Sequence, residues 1–262
     1  MKYEKEILRS LFKDDDGTQK VKIDHQIAYI SKMTTRYFNI VHDFLFLNLE
    51  NPKSKMIGHL TSKMEIALES CIHLLDLGYY GSANAIYRQI YEYVVWLKMF
   101  NLDTCNIVEK TFFDVASTQE AINFCTNNFD VRLPDEYKSK ISKKEARCIL
   151  GEYYSELCAA THGSCTSQQF FIPPEDSYKW LQDSIIRFSA LMCMVAYVTQ
   201  ISYAQYFKTV DSKKQNCELA IEAMEIHRSV EEFLSQLDST KGDQIPIIVV
   251  ILKGTWKQKT KA

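Results

Sequence analysis

The chain has 262 residues, of which 46% are hydrophobic and 24% charged, proportions typical of a globular protein with a substantial core. Its formal charge of -2 gives no overall attraction to nucleic acid or acidic membranes, so any such contact must come from a local patch. Only five prolines and eight glycines are present, which favours long helices with short connections over a turn-rich sandwich or barrel.

Helical periodicity predicts an all-α fold. Apolar residues recur at helical spacing in seven segments, at about residues 21–49, 54–77, 82–100, 103–127, 142–161, 177–207 and 211–237. Asn51-Pro52 ends the first helix, Gly78 ends the second as a left-handed C′ residue, and Ser82 is expected to cap the third. Residues 164–177, which contain two consecutive prolines, are predicted to form a loop.

The C-terminal segment has a different pattern. Residues 245–252 (Ile-Pro-Ile-Ile-Val-Val-Ile-Leu) are typical of a strand, but the sequence offers no partner strand, and Pro246 would confine this one to an edge. Four lysines follow within the last ten residues. We therefore predict a single bundle of about seven helices at residues 1–244. Residues 245–262 are predicted to form an extended arm and basic tail that packs on the helices or on a second copy.

The sequence favours a cytoplasmic protein without a membrane span. The most hydrophobic stretch, residues 188–201, is shorter than the roughly 20 residues that a span requires, and it is predicted to be a core helix. The N-terminal residues are charged and lack an apolar signal core. The eight cysteines form no Cys-x-x-Cys pair, so we expect reduced, buried thiols and neither a metal nor a cofactor.

Charged residues interrupt the apolar pattern of the second and third helices. An antiparallel arrangement of these helices would bring His73 level with Arg88, and Glu69 level with Glu92. A buried arginine keeps its charge and needs such partners. Two interpretations remain open: a paired network that fixes the register of the helices, or an Arg88 that faces a cleft and binds an anion such as phosphate, with Glu92 orienting it.

A metal site at this position is not predicted. Glu65, Glu69 and His73 line one face of a helix, but carboxylate-bridged metal sites use paired Glu-x-x-His motifs from several helices. The chain also lacks a Gly-rich phosphate loop, a G-x-S-x-G elbow and an H-E-x-x-H motif.

The end of the fifth predicted helix contains a second group of polar residues. Ser155, Cys158 and His162 are spaced i, i+3, i+7 and share a helical face, with Tyr154 beside them. The helix dipole favours the protonated form of a histidine in the last turn, so His162 could serve as a general acid or base. The alternative is a capping histidine that bonds a terminal carbonyl. A Cys158–His162 nucleophilic pair would be in reach, but no oxyanion-hole signature accompanies it.

Two stretches resemble a group of poorly characterised prokaryotic helical proteins. They are Leu75-Asp-Leu-Gly-Tyr-Tyr80 with Ala85, Arg88 and Glu92, and Tyr154-Ser-Glu-Leu157 with His162-Gly-Ser164. The group is similar to the HEPN (higher eukaryotes and prokaryotes nucleotide-binding) superfamily. The resemblance implies an all-helical, often dimeric bundle from phage defence or toxin–antitoxin systems, frequently a metal-independent ribonuclease with an Arg-x(4–6)-His motif. No arginine stands at that distance before His162. Arg36 and His42 have the spacing, but six positions on a helix place them about 120° apart.

The leading hypothesis is a HEPN-like endoribonuclease or toxin. In it His162 acts as general acid or base, Arg88 holds the scissile phosphate, and Glu92 orients Arg88. Tyr154, Ser155 and His73 are the predicted substrate-binding residues. The expected partners are RNA or a nucleotide, a second copy of the chain, and a protein regulator. The alternative hypothesis is a non-catalytic binding or scaffolding module in which the same polar residues are structural.

Overall fold

The computed structural model describes residues 17–45, 52–77, 79–102, 129–132, 143–161, 177–206, 212–236 and 255–258. In chain order these contain α1 (Gly17–Leu45), α2 (Pro52–Asp76), α3 (Tyr80–Leu102), β1 (Phe129–Arg132), α4 (Lys143–Thr161), α5 (Ser177–Tyr206), α6 (Ser212–Gln236) and β2 (Thr255–Gln258). The predicted all-α fold is confirmed, and each of the six described helices coincides with a predicted one. The predicted helix at 103–127, loop at 164–176 and strand at 245–252 lie outside the described residues.

Helix α5 forms the centre of the bundle. It packs against α3 and α6, and also against α1 and α2. Its residues from Ser184 to Tyr203 are buried on nearly all sides, whereas a surface helix has one apolar stripe. The core therefore forms around α5, with Phe188, Leu191 and Val195 fully enclosed.

Polar side chains of the surrounding helices bond directly to α5. The Tyr37 hydroxyl of α1 donates to the Ala196 carbonyl at 2.5 Å, and the Tyr87 hydroxyl of α3 donates to the Ser184 carbonyl at 3.0 Å. Burial raises the pKa of both tyrosines, so each hydroxyl keeps the proton that it donates. These bonds satisfy groups that would be costly if buried without partners, and they fix the height of each helix along α5.

The apolar stretch of α5 is longer than the predicted stretch at residues 188–201. Residues Ser184–Gln205 form a 22-residue segment with a mean hydropathy of 1.5, which is long and apolar enough to cross a membrane. However, 72% of the qualifying window is buried inside the fold. Contacts with the other helices therefore account for its hydrophobicity, as in a core helix.

The junction between α2 and α3 differs in one respect from the prediction. Helix α2 closes through a bond of 2.7 Å from the Tyr79 amide to the Leu74 carbonyl. Helix α3 begins at Tyr80, and the Tyr79 carbonyl accepts a bond from the Ala83 amide at 3.0 Å. The prediction that Ser82 caps α3 was therefore wrong, because Ser82 already lies in the first turn. The predicted C′ residue, Gly78, lies outside the described residues.

A two-stranded antiparallel ribbon pairs distant parts of the chain. In its register Phe129 is opposite Gln258, and Arg132 is opposite Thr255. Neither strand was predicted, because four residues are too few to establish an alternating pattern. Strand β2 falls within the predicted basic tail, C-terminal to the predicted strand at 245–252, and it pairs with β1.

Candidate functional site

Arg88 and Glu92 of α3 and Tyr154 of α4 meet in one polar group, here called the Arg88 cluster. Arg88 Nε donates to Glu92 Oε1 at 3.0 Å, and the Tyr154 hydroxyl donates to the same oxygen at 3.1 Å. The Arg88 guanidinium also stands over the Tyr154 ring, 5.7 Å from its centroid. The side chains of Arg88 and Glu92 remain 28% and 26% exposed, so the cluster lies at the edge of the bundle and solvent reaches it.

The ionisation states of the cluster support one another. Burial raises the pKa of Tyr154, and the Cys158 side chain and the Glu92 carboxylate raise it further, so the phenol stays protonated and can donate. Burial by itself lowers the pKa of Arg88, but the hydrogen bond to Glu92 and the nearby Cys158 and Glu92 more than compensate. A permanently charged guanidinium is therefore fixed in one orientation by an acceptor and an aromatic face.

An aromatic layer lies beneath the cluster and positions it. The Tyr91 ring contacts the Tyr153 ring edge-on at 5.1 Å and the Tyr154 ring at 6.3 Å. The Tyr91 hydroxyl donates to the Leu150 carbonyl at 3.2 Å, which ties α3 to α4. Neither Tyr91 nor Tyr153 was a predicted site residue. Their only signal was the Tyr-Glu-Tyr and Tyr-Tyr runs next to Glu92 and Tyr154.

The predicted contact of Arg88 with Glu69 and His73 does not form. Both α2 side chains are exposed, and neither makes an ion pair or hydrogen bond with Arg88 in the part of the chain that the structure describes. Helix α2 instead faces α3 through Cys71, whose thiol lies 3.8 Å from the Ala83 carbonyl. Because Cys71 and His73 are about 200° apart around the helix, His73 points away from α3. The part of the predicted network that joins Arg88 to Glu69 and His73 was therefore wrong, whereas its Arg88–Glu92 pair is observed.

Of the other residues in the predicted site, Ser155 and Cys158 lie among the described residues and His162 does not. Ser155 is exposed on α4, one position from Tyr154 and therefore on a different side of the helix. Cys158 is half-buried next to Tyr154. Helix α4 ends at Thr161, and His162, which follows directly, lies outside the described residues.

Arg36 and His42 of α1 point to different neighbours. Arg36 Nη2 lies 2.5 Å from Glu222 Oε1 on α6, whereas His42 Nε2 lies 2.7 Å from Glu65 Oε2 on α2. The separation around the helix that the sequence predicts is thus observed, and these two side chains do not share a site. Glu65, which shares a predicted helical face with Glu69 and His73, thus pairs with α1.

Arg36 and Glu222 lie in an open groove between α1 and α6, here called the α1–α6 groove, with a volume of about 730 Å³. Its lining residues are Lys32, Thr35, Arg36, Asn39, Ile40, Glu218, Ile221 and Glu222. Glu222 is only 3% exposed, and its second oxygen has no hydrogen-bond partner. Burial therefore raises the pKa of Glu222, Arg36 partly offsets this, and Glu225 adds to it.

We expect Glu222→Gln to change the pH dependence of stability. Because folding raises the pKa of Glu222, the wild-type side chain stabilises the fold most below its ordinary value of 4.5, and this contribution is lost as the pH rises through the folded-state pKa. As the pH rises from about 4 to about 7, the free energy of unfolding of the variant should therefore increase relative to that of wild type. Chemical denaturation across this range, with Glu232→Gln as an exposed control, measures the difference. A variant that loses stability relative to wild type over the same range would show that the Arg36 ion pair dominates.

The Arg88 cluster has the chemistry of an anion site but not, by itself, that of a complete catalyst. It offers a fixed cation at a solvent-reachable edge, whereas the single O–H of Tyr154 is already donated to Glu92. Proton transfer near neutral pH therefore calls for a further group such as a histidine. Across the described ranges, no group of three or more His, Cys, Asp or Glu side chains is placed to hold a metal ion. No protein-family model, curated protein or solved structure matches this chain.

Proposed function

We propose that this protein is an endoribonuclease, acting without a metal ion, in a prokaryotic defence or toxin–antitoxin system. In the proposed mechanism Arg88 binds the scissile phosphate, Glu92 and Tyr154 hold Arg88 in place, and His162 transfers a proton. The observation that carries the proposal is the direction of Arg88. Arg88 Nη2 donates to the Tyr154 hydroxyl at 3.5 Å, and Tyr154 lies on α4, the helix whose last residue immediately precedes His162.

The chemistry of the cluster suits a phosphodiester. Guanidinium groups bind phosphate oxygens through several N–H donors. The single O–H of Tyr154 is donated to Glu92 and serves to hold that carboxylate, and through it Arg88, in place. Phosphoester cleavage needs little beyond positioning, stabilisation of the developing charge and proton transfer. The formal charge of -2 gives no general attraction to RNA, so recognition would depend on this local site.

The alternative, a structural role for the same residues, also has an observation in its favour. Glu92 Oε1 accepts bonds from both Arg88 and Tyr154, so the three groups satisfy one another without a ligand. A scaffolding or binding module would use such a network to hold α3 against α4. The two hypotheses differ in what removal of the guanidinium does to activity and to stability.

We expect Arg88→Ala to reduce cleavage of a single-stranded RNA about 100-fold, the usual effect of losing one donor that stabilises transition-state charge. Cleavage is measured in EDTA, and thermal unfolding is followed in parallel. Arg187→Ala is a matched control, because Arg187 is also partly exposed and also pairs with a glutamate, Glu156 at 3.7 Å.

Three outcomes of this experiment separate the hypotheses. Loss of cleavage with an unchanged unfolding temperature supports the catalytic proposal. Absence of cleavage by the wild-type chain, or equal cleavage by wild type and Arg88→Ala, contradicts it. A fall in the unfolding temperature of Arg88→Ala together with unchanged cleavage favours the structural role.

A further inference from the structure

The two walls of the α1–α6 groove carry opposite charges. Lys32 and Arg36 lie on the α1 wall, and Glu218 and Glu222 lie on the α6 wall. Arg36 already pairs with Glu222 across the groove. Glu218 stands 3.7 Å from Lys214 of its own helix. Lys32 is exposed and forms no ion pair with any described residue, so the α1 wall keeps one cation that can bind an anionic group.

The chain satisfies only half of the Glu222 carboxylate. The Glu222 side chain is 3% exposed, its Oε1 pairs with Arg36, and its Oε2 has no hydrogen-bond partner. A buried carboxylate oxygen without a donor is costly, because folding has removed the water that would bond to it. Since Glu222 lines the groove, an N–H donor on a molecule bound there would relieve this cost.

Arg36 covers Glu222 on the solvent side and can give way to a ligand. The Arg36 side chain is 63% exposed, and Glu222 is its one partner among the described residues. An ion pair with a largely exposed member contributes little to stability, so a small displacement of the guanidinium costs little. Arg36 would then face the same bound anionic group as Lys32, which lies one turn away on α1.

An apolar part of the groove adjoins the charged part. Lys32, Arg36 and Ile40 follow one another along α1 at intervals of one helical turn, about 6 Å each. Ile40 is half-buried, and Ile221 on the facing helix is 56% exposed. A short hydrocarbon group that covered these two side chains would remove apolar surface from water. The groove volume of about 730 Å³ is in the range of small-molecule sites.

We infer that the α1–α6 groove binds a free apolar α-amino acid. Its carboxylate lies between Lys32 and Arg36, and its ammonium donates to Glu222. Its hydrocarbon side chain lies against Ile40 and Ile221. This inference goes beyond the proposed ribonuclease activity and does not depend on it.

The two walls together select a zwitterion. An anion alone would leave the Glu222 oxygen without a donor, and an amine alone would leave Lys32 without a counter-charge. The two charges of an α-amino acid are attached to one carbon atom. This short separation suits walls that are close enough for Arg36 and Glu222 to be in contact.

Isothermal titration calorimetry of the full chain tests the ligand class, with leucine as the probe. We expect leucine to bind with a dissociation constant of about 1 mM or tighter. Isocaproate, which lacks the ammonium, and isoamylamine, which lacks the carboxylate, should each bind at least about 10-fold more weakly, because each loses hydrogen bonds to a charged group. Alanine keeps both charges but lacks most of the hydrocarbon, and it should also bind about 10-fold more weakly.

Two substitutions test the location of the site. Lys32→Met and Glu222→Gln should each weaken leucine binding at least about 10-fold. Both should fold like wild type in thermal unfolding, because Lys32 is exposed and glutamine keeps the shape of glutamate. Lys63→Met is the matched control, since Lys63 is also exposed, lies on α2 outside the groove, and forms no ion pair with any described residue. This control should bind leucine like wild type.

Three results would overturn the inference. The first is no leucine binding by the wild-type chain up to about 10 mM. The second is equal affinity for leucine and for either isocaproate or isoamylamine. The third is an affinity for leucine that Lys32→Met or Glu222→Gln leaves unchanged. The groove lies on α1 and α6, apart from the Arg88 cluster on α3 and α4, so these results are independent of RNA cleavage.

Discussion

His162→Ala is expected to lower RNA cleavage by about 10²- to 10⁴-fold, the range typical of losing a general acid or base. This effect should exceed that of Arg88→Ala, because a phosphate can still bind without one donor, whereas the proposed mechanism assigns proton transfer to His162 alone. The variant should fold like wild type, since the substitution changes none of the buried core residues of the described helices.

The design separates proton transfer from binding. Single-turnover cleavage is measured as a function of pH for wild type, His162→Ala and His59→Ala, an exposed histidine of α2 that serves as control. The variant should lose the part of the pH profile that reports ionisation of the histidine, and RNA binding should remain. If His162→Ala cleaves as fast as wild type with an unaltered pH profile, the proposed proton carrier is incorrect, whatever the Arg88 result.

Leu191→Ala is expected to lower the free energy of unfolding by about 2–5 kcal/mol. Leu191 is fully buried at the centre of α5, where neighbours from several helices cannot all move to fill the cavity. Leu77→Ala is the matched control, since Leu77, which directly follows α2, is 44% exposed, and its effect should be much smaller, about 1 kcal/mol or less.

A second substitution on α5 tests whether stability is lost because a cavity forms or because any change of side chain on this helix destabilises the fold. The Ser189 hydroxyl is buried and has no hydrogen-bond partner, so Ser189→Ala removes an unsatisfied polar group. The free energy of unfolding should then stay unchanged or rise by up to about 1 kcal/mol. Denaturant unfolding of the variants measures all three values. A similar large loss for Leu191→Ala and Ser189→Ala would show that α5 tolerates no change, and that cavity formation is not the cause.

The sequence predicted the helices well and the contacts between them less well. Helical bounds follow from a local period, so α2, α4 and α5 begin and end within a few residues of the predicted positions. Which face of α3 meets which neighbour is a tertiary property. His73 was predicted to lie level with Arg88, yet it points away from α3. It is two residues, or about 200° around the helix, from Cys71, which faces α3.

The Arg88 cluster illustrates the same limit. The spacing of Arg88 and Glu92 predicted their ion pair, which is observed at 3.0 Å. The contribution of Tyr154 comes from a helix far along the chain, 62 positions beyond Glu92, and nothing in local spacing connects it with Arg88. Glu222 was missed for a related reason. Its neighbours on α6 look like an ordinary charged surface, and only the packing of α1 encloses it.

The ribbon of β1 and β2 has a consequence for the order in which the chain folds. Its strands stand roughly 125 residues apart in sequence, so pairing them closes a very long loop at a substantial cost in chain entropy. Four residue pairs offer little to offset that cost before the helices have assembled, whereas α2 and α3 are neighbours in sequence and can dock early. The ribbon should therefore form after the bundle, and its pairing then joins the middle of the chain to its C-terminal part.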